Sequence, residues 1–476
     1  MKTYILLLLF PVLLCACNDW LDVKPDDRIS EDATFSTPQG FQLALNGVYI
    51  DLNVSNLYGQ ALTWDFVEIL AQRYAISKST TYNREAMQFH FKAEEVKGRV
   101  SPIWAKAYGL IANINLILKN CEERREVISD EYYALIKGEA LGLRALLHFD
   151  LFRLWGPVYT TANEEQLTIP YYDEFALAGQ PKQTTKAFMT HVVSDLEEAA
   201  ILLQDDPIKT AATPLTANTA NPFYGFRALR MNYYAVRLLA ARAYLYMNDL
   251  ENAYTAAREV VDVQEMLFPW TTKAQLAIQE DQDRMFSSEL VFALQNSNRK
   301  SIYTKNFDAE NLKLGALLVP ASEVIKKIFP TSEEGDARYT TWLSDEVDLE
   351  SSTYKKFKKY QALSDTLYSQ LIPMLRVSEA YYILAECEAE NDKEAGLSWL
   401  NKVRNARSLK NNDWDYFEDV LESEYMREFF GEGQLFYFYK RRKYEKIQDA
   451  YEADASVTMD DTQYVLEIPE EESKYN

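Results

Sequence analysis

Residues 231–262, MNYYAVRLLAARAYLYMNDLENAYTAAREVVD, restrict the chain to very few architectures. Val236, Leu239, Ala240, Ala243 and Met247 recur at the spacing of one helix face. Asn248-Asp249 supply a turn and a cap, and Leu250, Ala253, Tyr254, Ala257 and Val261 line a second helix. Helices joined by so short a turn pack antiparallel, and the alanines let them approach closely. Residues 376–407, RVSEAYYILAECEAENDKEAGLSWLNKVRNAR, repeat the pattern. Val377, Ala380, Tyr381 and Leu384 precede an Asn391-Asp392 turn, and Ala395, Trp399, Val403 and Ala406 follow it. Such a pair cannot bury its apolar faces alone, so further helices must stack on it.

This is the rhythm of tetratricopeptide-like helix pairs, degenerate because the register slips by one residue between the copies. Other segments supply the stack. Thr37-Pro38 opens a helix with a hydroxyl cap and proline at its first position, followed by Phe41, Ala44, Leu45, Val48 and Leu52. Trp104, Ala107, Tyr108, Ile111, Ile114 and Leu118 keep the same cadence. Glu139 to Val158 is apolar nearly all round, as a central buried helix must be, and Gly156-Pro157 stops it. Phe188, Val192, Leu196 and Ala199 mark another helix. Gly and Pro are scarce at 15 each, which favours helices over a turn-rich sheet architecture. The fold class expected is therefore all-α: a tetratricopeptide-like scaffold over residues 35–263 and 371–445, with an acidic segment at 446–476. Residues 264–370 mix short apolar pieces with QNSNRKS, PTSEEGDARY and SDEVDLESSTYKK. A connection of that length is expected to be a functional insertion with some structure of its own, forming a loop-rich ligand face.

Composition excludes several functions. A net charge of −22 leaves nothing to neutralise phosphates, so no nucleic-acid partner is expected. Three dispersed histidines give no metal-ligand spacing, and His148, inside the most apolar helix, reads as a satisfied core residue. There is no G-x-S-x-G, G-x-G-x-x-G or P-loop; GEGQ at Gly431 to Gln434 is the nearest glycine-rich match, and it is short. No metal, cofactor or catalytic residue is assigned, although a glycosidase needs only two carboxylates and 72 acidic residues are present. Cys121 and Cys387 sit on apolar helix faces as small hydrophobes, and Trp104, Trp155 and Trp399 are assigned to the core.

The N-terminus carries Lys2 and an apolar run from Tyr4 to Leu14, too short to span a bilayer, which needs about 20 apolar residues. It reads as an export signal. Leu14-Cys15-Ala16-Cys17 resembles a bacterial lipobox: residues 1–16 would leave as signal peptide, and Cys17 would become the diacylglycerol-bearing (and palmitate-bearing) first residue of a tether, 17–34. A C-x-C inside an apolar run presents no useful thiolate pair for metal or disulfide.

Several segments together resemble the SusD/RagB family, and the resemblance runs over nearly the whole chain. It rests on Cys17 with NDWLDVKP, on W-x-x-A-Y-x-x-I-x-x-x-N from Trp104 to Asn115, on RALLHFDLFRLWGPV, on the helix pairs, on GDARY at Gly335 to Tyr339, on LIPMLRVSEAYYILAECEAEN, on REFFGEGQLFYFYKRR and on LEIPEEE. Gln434 departs from the Arg that many members carry after EG, and Trp20 and Leu21 interrupt the acidic run that directs surface export. The resemblance implies a non-catalytic lipoprotein of the cell outer membrane, facing outside. It would bind an oligosaccharide and deliver it to a SusC-like TonB-dependent transporter. In the family, ligand contacts come from the segment before the W-x-x-A-Y helix and from the central insertion. Here those segments hold Tyr74, Tyr82, Asn83, Trp270, Tyr303 and Trp342, the candidate ligand-binding residues. Flat aromatic rings suit the apolar faces of sugars, and Asn suits their hydroxyls. Two other classes stay open: a lipid-anchored helical-repeat protein that binds peptide or protein, and an all-α glycosidase.

Overall fold

The computed structural model describes residues 30–76, 81–176, 178–211, 213–278, 282–308, 317–333, 335–349, 352–362, 366–412 and 416–473. The stretch read as signal peptide, Cys17 and the tether up to residue 29 lie outside the described residues.

The chain is mainly helical, as the periodicity requires. Its principal helices are α1 (Pro38–Leu52), α2 (Glu94–Glu123), α3 (Asp130–Trp155), α4 (Thr185–Leu202), α5 (Tyr233–Tyr246), α6 (Leu250–Asp262), α7 (Arg299–Asn306), α8 (Val377–Ala389), α9 (Lys393–Ala406), α10 (Phe417–Glu428) and α11 (Leu435–Arg442). Helices α2 to α6 pack in sequence order, α6 packs on α8, α8 on α9 and α9 on α10, so the stack continues across the insertion. Helix α1 lies against α2 and α3. Burial is continuous from Gly138 to Trp155 in α3, the all-round apolar helix. Each fully buried Leu or Phe side chain there contributes about 1.5–3 kcal/mol relative to exposure.

Local signals act where the sequence puts them. Thr37 caps α1 by accepting from the Gly40 N–H at 3.2 Å. Asn248 turns the chain in the left-handed region at φ 60°, and Asp249 caps α6. Asp392 caps α9 by accepting from Glu394 and Ala395 N–H groups at 3.0 and 3.1 Å. Ala240, Ala243, Ala253 and Ala257 are all buried at the α5–α6 crossing. In the second pair a Cβ at Gly396 would come within 2.7 Å of the Ala385 carbonyl oxygen, so the close crossing of α8 and α9 itself needs a glycine.

Among the described residues four two-stranded antiparallel sheets decorate the helices: β1 (Leu167–Pro170) with β2 (Lys182–Thr184), β3 (Leu290–Gln295) with β6 (Leu371–Arg376), β4 (Leu343–Leu349) with β5 (Ser352–Phe357), and β7 (Lys446–Gln448) with β8 (Ser456–Thr458). The β3–β6 pair changes the reading of residues 264–370. Leu290 to Leu294 are all buried, and β3 is paired with the strand that feeds α8. The segment is therefore built into the core through β3, and it carries further helices and strands with buried residues of their own, among them Ile325, Arg338 and Trp342.

The C-terminal acidic segment is also fastened down. Met459, Tyr464 and Leu466 are buried, the Leu466 N–H donates to the Leu154 carbonyl at 3.0 Å, and Trp155 Nε1 donates to the Glu467 carbonyl at 3.0 Å. The Lys440 ammonium caps α3 by donating to the Arg153 and Gly156 carbonyls, both at 2.8 Å. Burial pushes that ammonium down to about 7.

Candidate functional site

The segments named as ligand-bearing converge at one end of the molecule. Ala75 N–H donates to the Val319 carbonyl at 2.9 Å, Leu318 N–H to Asn306 at 2.7 Å and Lys355 N–H to Pro320 at 3.0 Å. The Tyr451 hydroxyl donates to the Ile76 carbonyl. Residues 72–76, the end of α7, residues 317–321, β5 and the β7–β8 turn are thus tied together, with 72–76 and 317–321 buried beneath the rest. Gln72 Nε2 donates to the Met87 carbonyl at 2.8 Å and ties the short helix Thr81–Met87 to it.

Of the six candidates, the structure leaves Tyr82, Asn83 and Tyr303 half-buried on this end. Tyr303 stacks on Phe307 with centroids 5.9 Å apart. The Arg99 guanidinium lies 5.0 Å from the Tyr82 ring centroid, and Asn83 follows on the same short helix. Trp270 is half-buried elsewhere, against Tyr381 at 5.2 Å and beneath the Arg407 guanidinium at 5.3 Å, on the α8 side of the scaffold. Tyr74 and Trp342 are corrections. Tyr74 is 0% exposed, with Phe307 and Phe430 at 6.1 and 6.2 Å. Trp342 is 1% exposed, stacked on Phe286 at 5.1 Å with the Lys359 ammonium 3.8 Å from its ring centroid and its Nε1 donating to the Arg284 carbonyl at 2.7 Å. Neither ring has a face to offer a sugar. Both anchor the loops that carry the other candidates.

The polar motifs of the C-terminal half resolve into one buried ion network. Arg338 of GDARY is fully buried and donates to Asp336 at 2.7 Å, Glu424 at 2.8 Å and Glu428 at 3.0 Å. Arg407 joins Glu428 to Glu289, each at 2.5 Å. Arg376 reaches Glu428 at 2.5 Å and Glu432 at 2.9 Å, and Lys359 reaches Glu432 at 2.5 Å. Burial alone would raise the Glu424 carboxyl, but Arg338, Arg427 and Arg404 outweigh it and hold it at about 2. Arg407, Arg376 and Arg338 likewise hold Glu428 well below the usual range against the effect of burial. Burial lowers Lys359 to about 8 in spite of Glu432. The glycine-rich GEGQ is a carboxylate clasp: Gly431 and Gly433, at φ 77° and 69°, aim their N–H groups at Glu68 from 2.9 and 2.8 Å. Burial raises Glu68 to about 7 against Arg73 and those two donors. These acids are engaged in holding elements together.

His148 is the core histidine expected. Its Nδ1 faces the Arg144 carbonyl at 3.0 Å, its Nε2 accepts from the Tyr172 N–H at 3.1 Å, and its ring stacks on Tyr171 at 3.7 Å. Burial and then Arg144 push it well below the ordinary histidine range, so it is neutral. Burial drives the thiols of Cys121 and Cys387 up to about 12, which makes them inert. Among the described residues no group of three His, Cys, Asp or Glu side chains is placed to hold a metal.

One aromatic cleft escaped sequence reading. Tyr108 and Tyr172, half-buried with centroids 5.3 Å apart, wall a hollow of about 210 Å³ together with Asn115 and Glu174. Tyr108 falls in the helical rhythm of α2, which reads as core. The run of small residues Ala176, Ala178 and Gly179 was the available signal, since it leaves the hollow open.

Comparison with known proteins finds similarity over about nine-tenths of the chain. Residues 19–226 match a family described as "Starch-binding associating with outer membrane", and residues 339–476 match the SusD family. A SusD-like protein of Formosa agariphila is 23% identical, with 90% of this chain and 89% of that protein aligned. A second from the same organism is 27% identical over 42% of this chain, and the match spans 37% of that relative's length. A solved SusD superfamily protein from Bacteroides thetaiotaomicron superposes with a TM-score of 0.74 at 20% identity, over 92% of this chain and 98% of the other. A SusD-like carbohydrate binding protein from Bacteroides vulgatus gives 0.70 at 17% identity, over 93% and 97%.

Proposed function

The chain belongs to the SusD family, and from that premise we propose that it is a non-catalytic glycan-binding lipoprotein of the outer membrane that passes an oligosaccharide to a SusC-like TonB-dependent transporter. The observation that carries the reading is the family match at both ends of the chain, joined by a fold that superposes on a SusD-like carbohydrate binding protein. Physical chemistry supports it. Tyr303 stacks on Phe307 and Tyr82 lies beside Arg99, and both half-buried rings also pack against the core, which fixes their orientation as a sugar platform requires. Asn83 adds a donor and an acceptor beside them. Cys17 is the lipid anchor in this reading, and one acyl-bearing residue gives the capture domain a membrane foothold from which to hand over ligand.

A glycan array followed by isothermal titration of the hits tests the proposal. Tyr82→Ala and Tyr303→Ala should each weaken the best glycan about tenfold, which corresponds to about 1.4 kcal/mol. Trp270→Ala reports whether the ligand extends toward the scaffold. A peptide pool that binds while no glycan does sinks the reading. Cys17→Ala should move the protein out of the membrane fraction, and co-purification from solubilised membranes tests the transporter.

A further inference from the structure

One concave surface has no part in that reading. It is a groove of about 640 Å³ between the first turns of α2 and residues 466–471. Glu94, Lys97, Gly98, Ser101, Pro102 and Ala105 recur at helical spacing and present one stripe of α2 to it. Arg99, over Tyr82, belongs to a different face of the helix.

Two features of that stripe serve nothing in the chain itself. Gly98 lies inside a long helix, where glycine is unfavourable, yet a Cβ there would meet nothing within 4 Å. It is not required by packing; it keeps the groove wide. Pro102 lies four residues later in the same helix and has no N–H, so the Gly98 carbonyl lacks its i+4 donor beside the open space. The groove also has a chemical bias. Its floor is apolar, with Val100, Pro102, Leu466, Ile468 and Pro469, and Phe91, its one aromatic, is buried. Its rim carries Glu94, Glu467, Glu470 and Glu471; Lys97 bridges Glu94 at 3.3 Å and Glu470 at 2.7 Å, and Lys92 pairs with Glu467 at 3.1 Å, so four carboxylates share two ammonium groups and the rim keeps a net negative charge.

We propose that this groove docks an extended peptide segment of a partner protein in which apolar residues alternate with Lys or Arg. Apolar side chains would cover the floor, cationic ones would meet the glutamate rim, and a peptide N–H would satisfy the Gly98 carbonyl. Charge excludes the other occupants. The chain's own N-terminal stretch carries Asp19, Asp22, Asp26 and Asp27 against Lys24 and Arg28, and a second copy brings a net charge of −22. A sugar would find no exposed aromatic face.

The test is fluorescence anisotropy with a labelled nonapeptide alternating lysine and leucine, and with its glutamate-for-lysine counterpart. The lysine peptide should bind the wild type and the glutamate peptide should not. Gly98→Leu, which fills the groove while favouring the helix, should weaken binding at least tenfold and raise the melting temperature. Glu467→Lys with Glu471→Lys touches only exposed side chains and should weaken binding equally, which keeps the test alive if Gly98→Leu does not fold. Glu251→Lys with Glu394→Lys, exposed on the helix pairs, should leave affinity within twofold. Failure of the lysine peptide to bind overturns the proposal. So does equal weakening in the distant pair, which marks general attraction to an acidic surface. So too does a groove variant that changes glycan affinity and spares the peptide. Peptide binding lost in the groove variants while glycan titrations stay unchanged supports the proposal whether or not the glycan reading stands.

Discussion

Arg338→Met removes the hub of the buried network at nearly constant volume. Glu424 would keep Arg404 at 2.9 Å, and Glu428 would keep Arg376 and Arg407, both at 2.5 Å. Asp336, fully buried, would keep only its cap to the residue 338 N–H at 2.8 Å. The loss is therefore that of one buried pair broken on one side, about 3–5 kcal/mol. With about 2.1 cal/mol/K of unfolding entropy per residue, a cooperative unit the length of this chain loses about 4 °C of melting temperature for about 4 kcal/mol. The loss should be local in origin. Arg338, Glu289 and Lys359 come from residues 264–370, whereas Glu424, Glu428 and Arg407 come from the second scaffold block. Denaturant unfolding measures the size, and limited proteolysis should place the first cuts between residues 264 and 370. Asp336→Asn preserves the helix cap and removes the orphaned charge, so the double variant should recover about 1.5–3 kcal/mol of the summed single losses. A coupling below about 0.5 kcal/mol, or first cuts in the scaffold helices, would refute the claim that this network fastens the insertion.

Three further outcomes follow from single residues. Gly433→Ala should cost about 2 kcal/mol or more, because φ is 69° and the new Cβ would come within 2.3 Å of the Leu62 carbonyl oxygen. Gly431→Ala should cost less, since at φ 77° its Cβ meets side-chain rings, Phe357 at 2.9 Å and Tyr360 at 3.2 Å, rather than a backbone carbonyl; chemical denaturation ranks the two. Gly47→Ala, mid-way along α1 with nothing within 4 Å of its Cβ, should stabilise by about 0.5–1 kcal/mol in the same assay, and a loss of stability there would contradict the open space. For pH, Glu424 sits at about 2 when folded against 4.5 ordinarily, so the folded state holds fewer protons between those values. Its stabilisation, about 3 kcal/mol, is complete above pH 4.5 and disappears as pH falls toward 2. Guanidinium midpoints at pH 7 and pH 3 check this, and equal midpoints would contradict it.

The helical scaffold was legible because its signals are local and redundant. The 3.6-residue stripes of 231–262 and 376–407, the Asp249 and Asp392 caps and the Gly156 stop each act within a few residues of themselves. What stayed hidden are the long-range pairings. Nothing near residue 290 announces that LVFALQ will pair with LIPMLR about eighty residues on, and that pairing puts this strand of the insertion in the core. The clasp between Glu68 and the GEG loop is equally silent, since its partners lie 363 and 365 residues apart.

The candidate site was half legible for the same reason. An aromatic outside a helical stripe reads as a loop residue, and a loop residue reads as accessible. A long insertion, however, must bury apolar area of its own to hold any shape, and rings are its most effective means. Tyr74 and Trp342 are fully buried that way, whereas Tyr82 and Tyr303, which also pack against the core beside Arg99 and Phe307, are only half-buried. The motifs behaved in the opposite sense. GDARY and GEGQ, polar and glycine-bearing, have the composition of ligand loops, yet their charges are buried and paired, Arg338 with Asp336 and Glu424, and Glu432 with Lys359. A buried arginine needs several carboxylates at fixed geometry to offset its desolvation, which only one arrangement of the insertion on the scaffold supplies. The segments that make the family recognisable are therefore those that hold the loops in place. In the proposed reading, what the loops bind would be set by side chains such as Tyr303 that no motif contains.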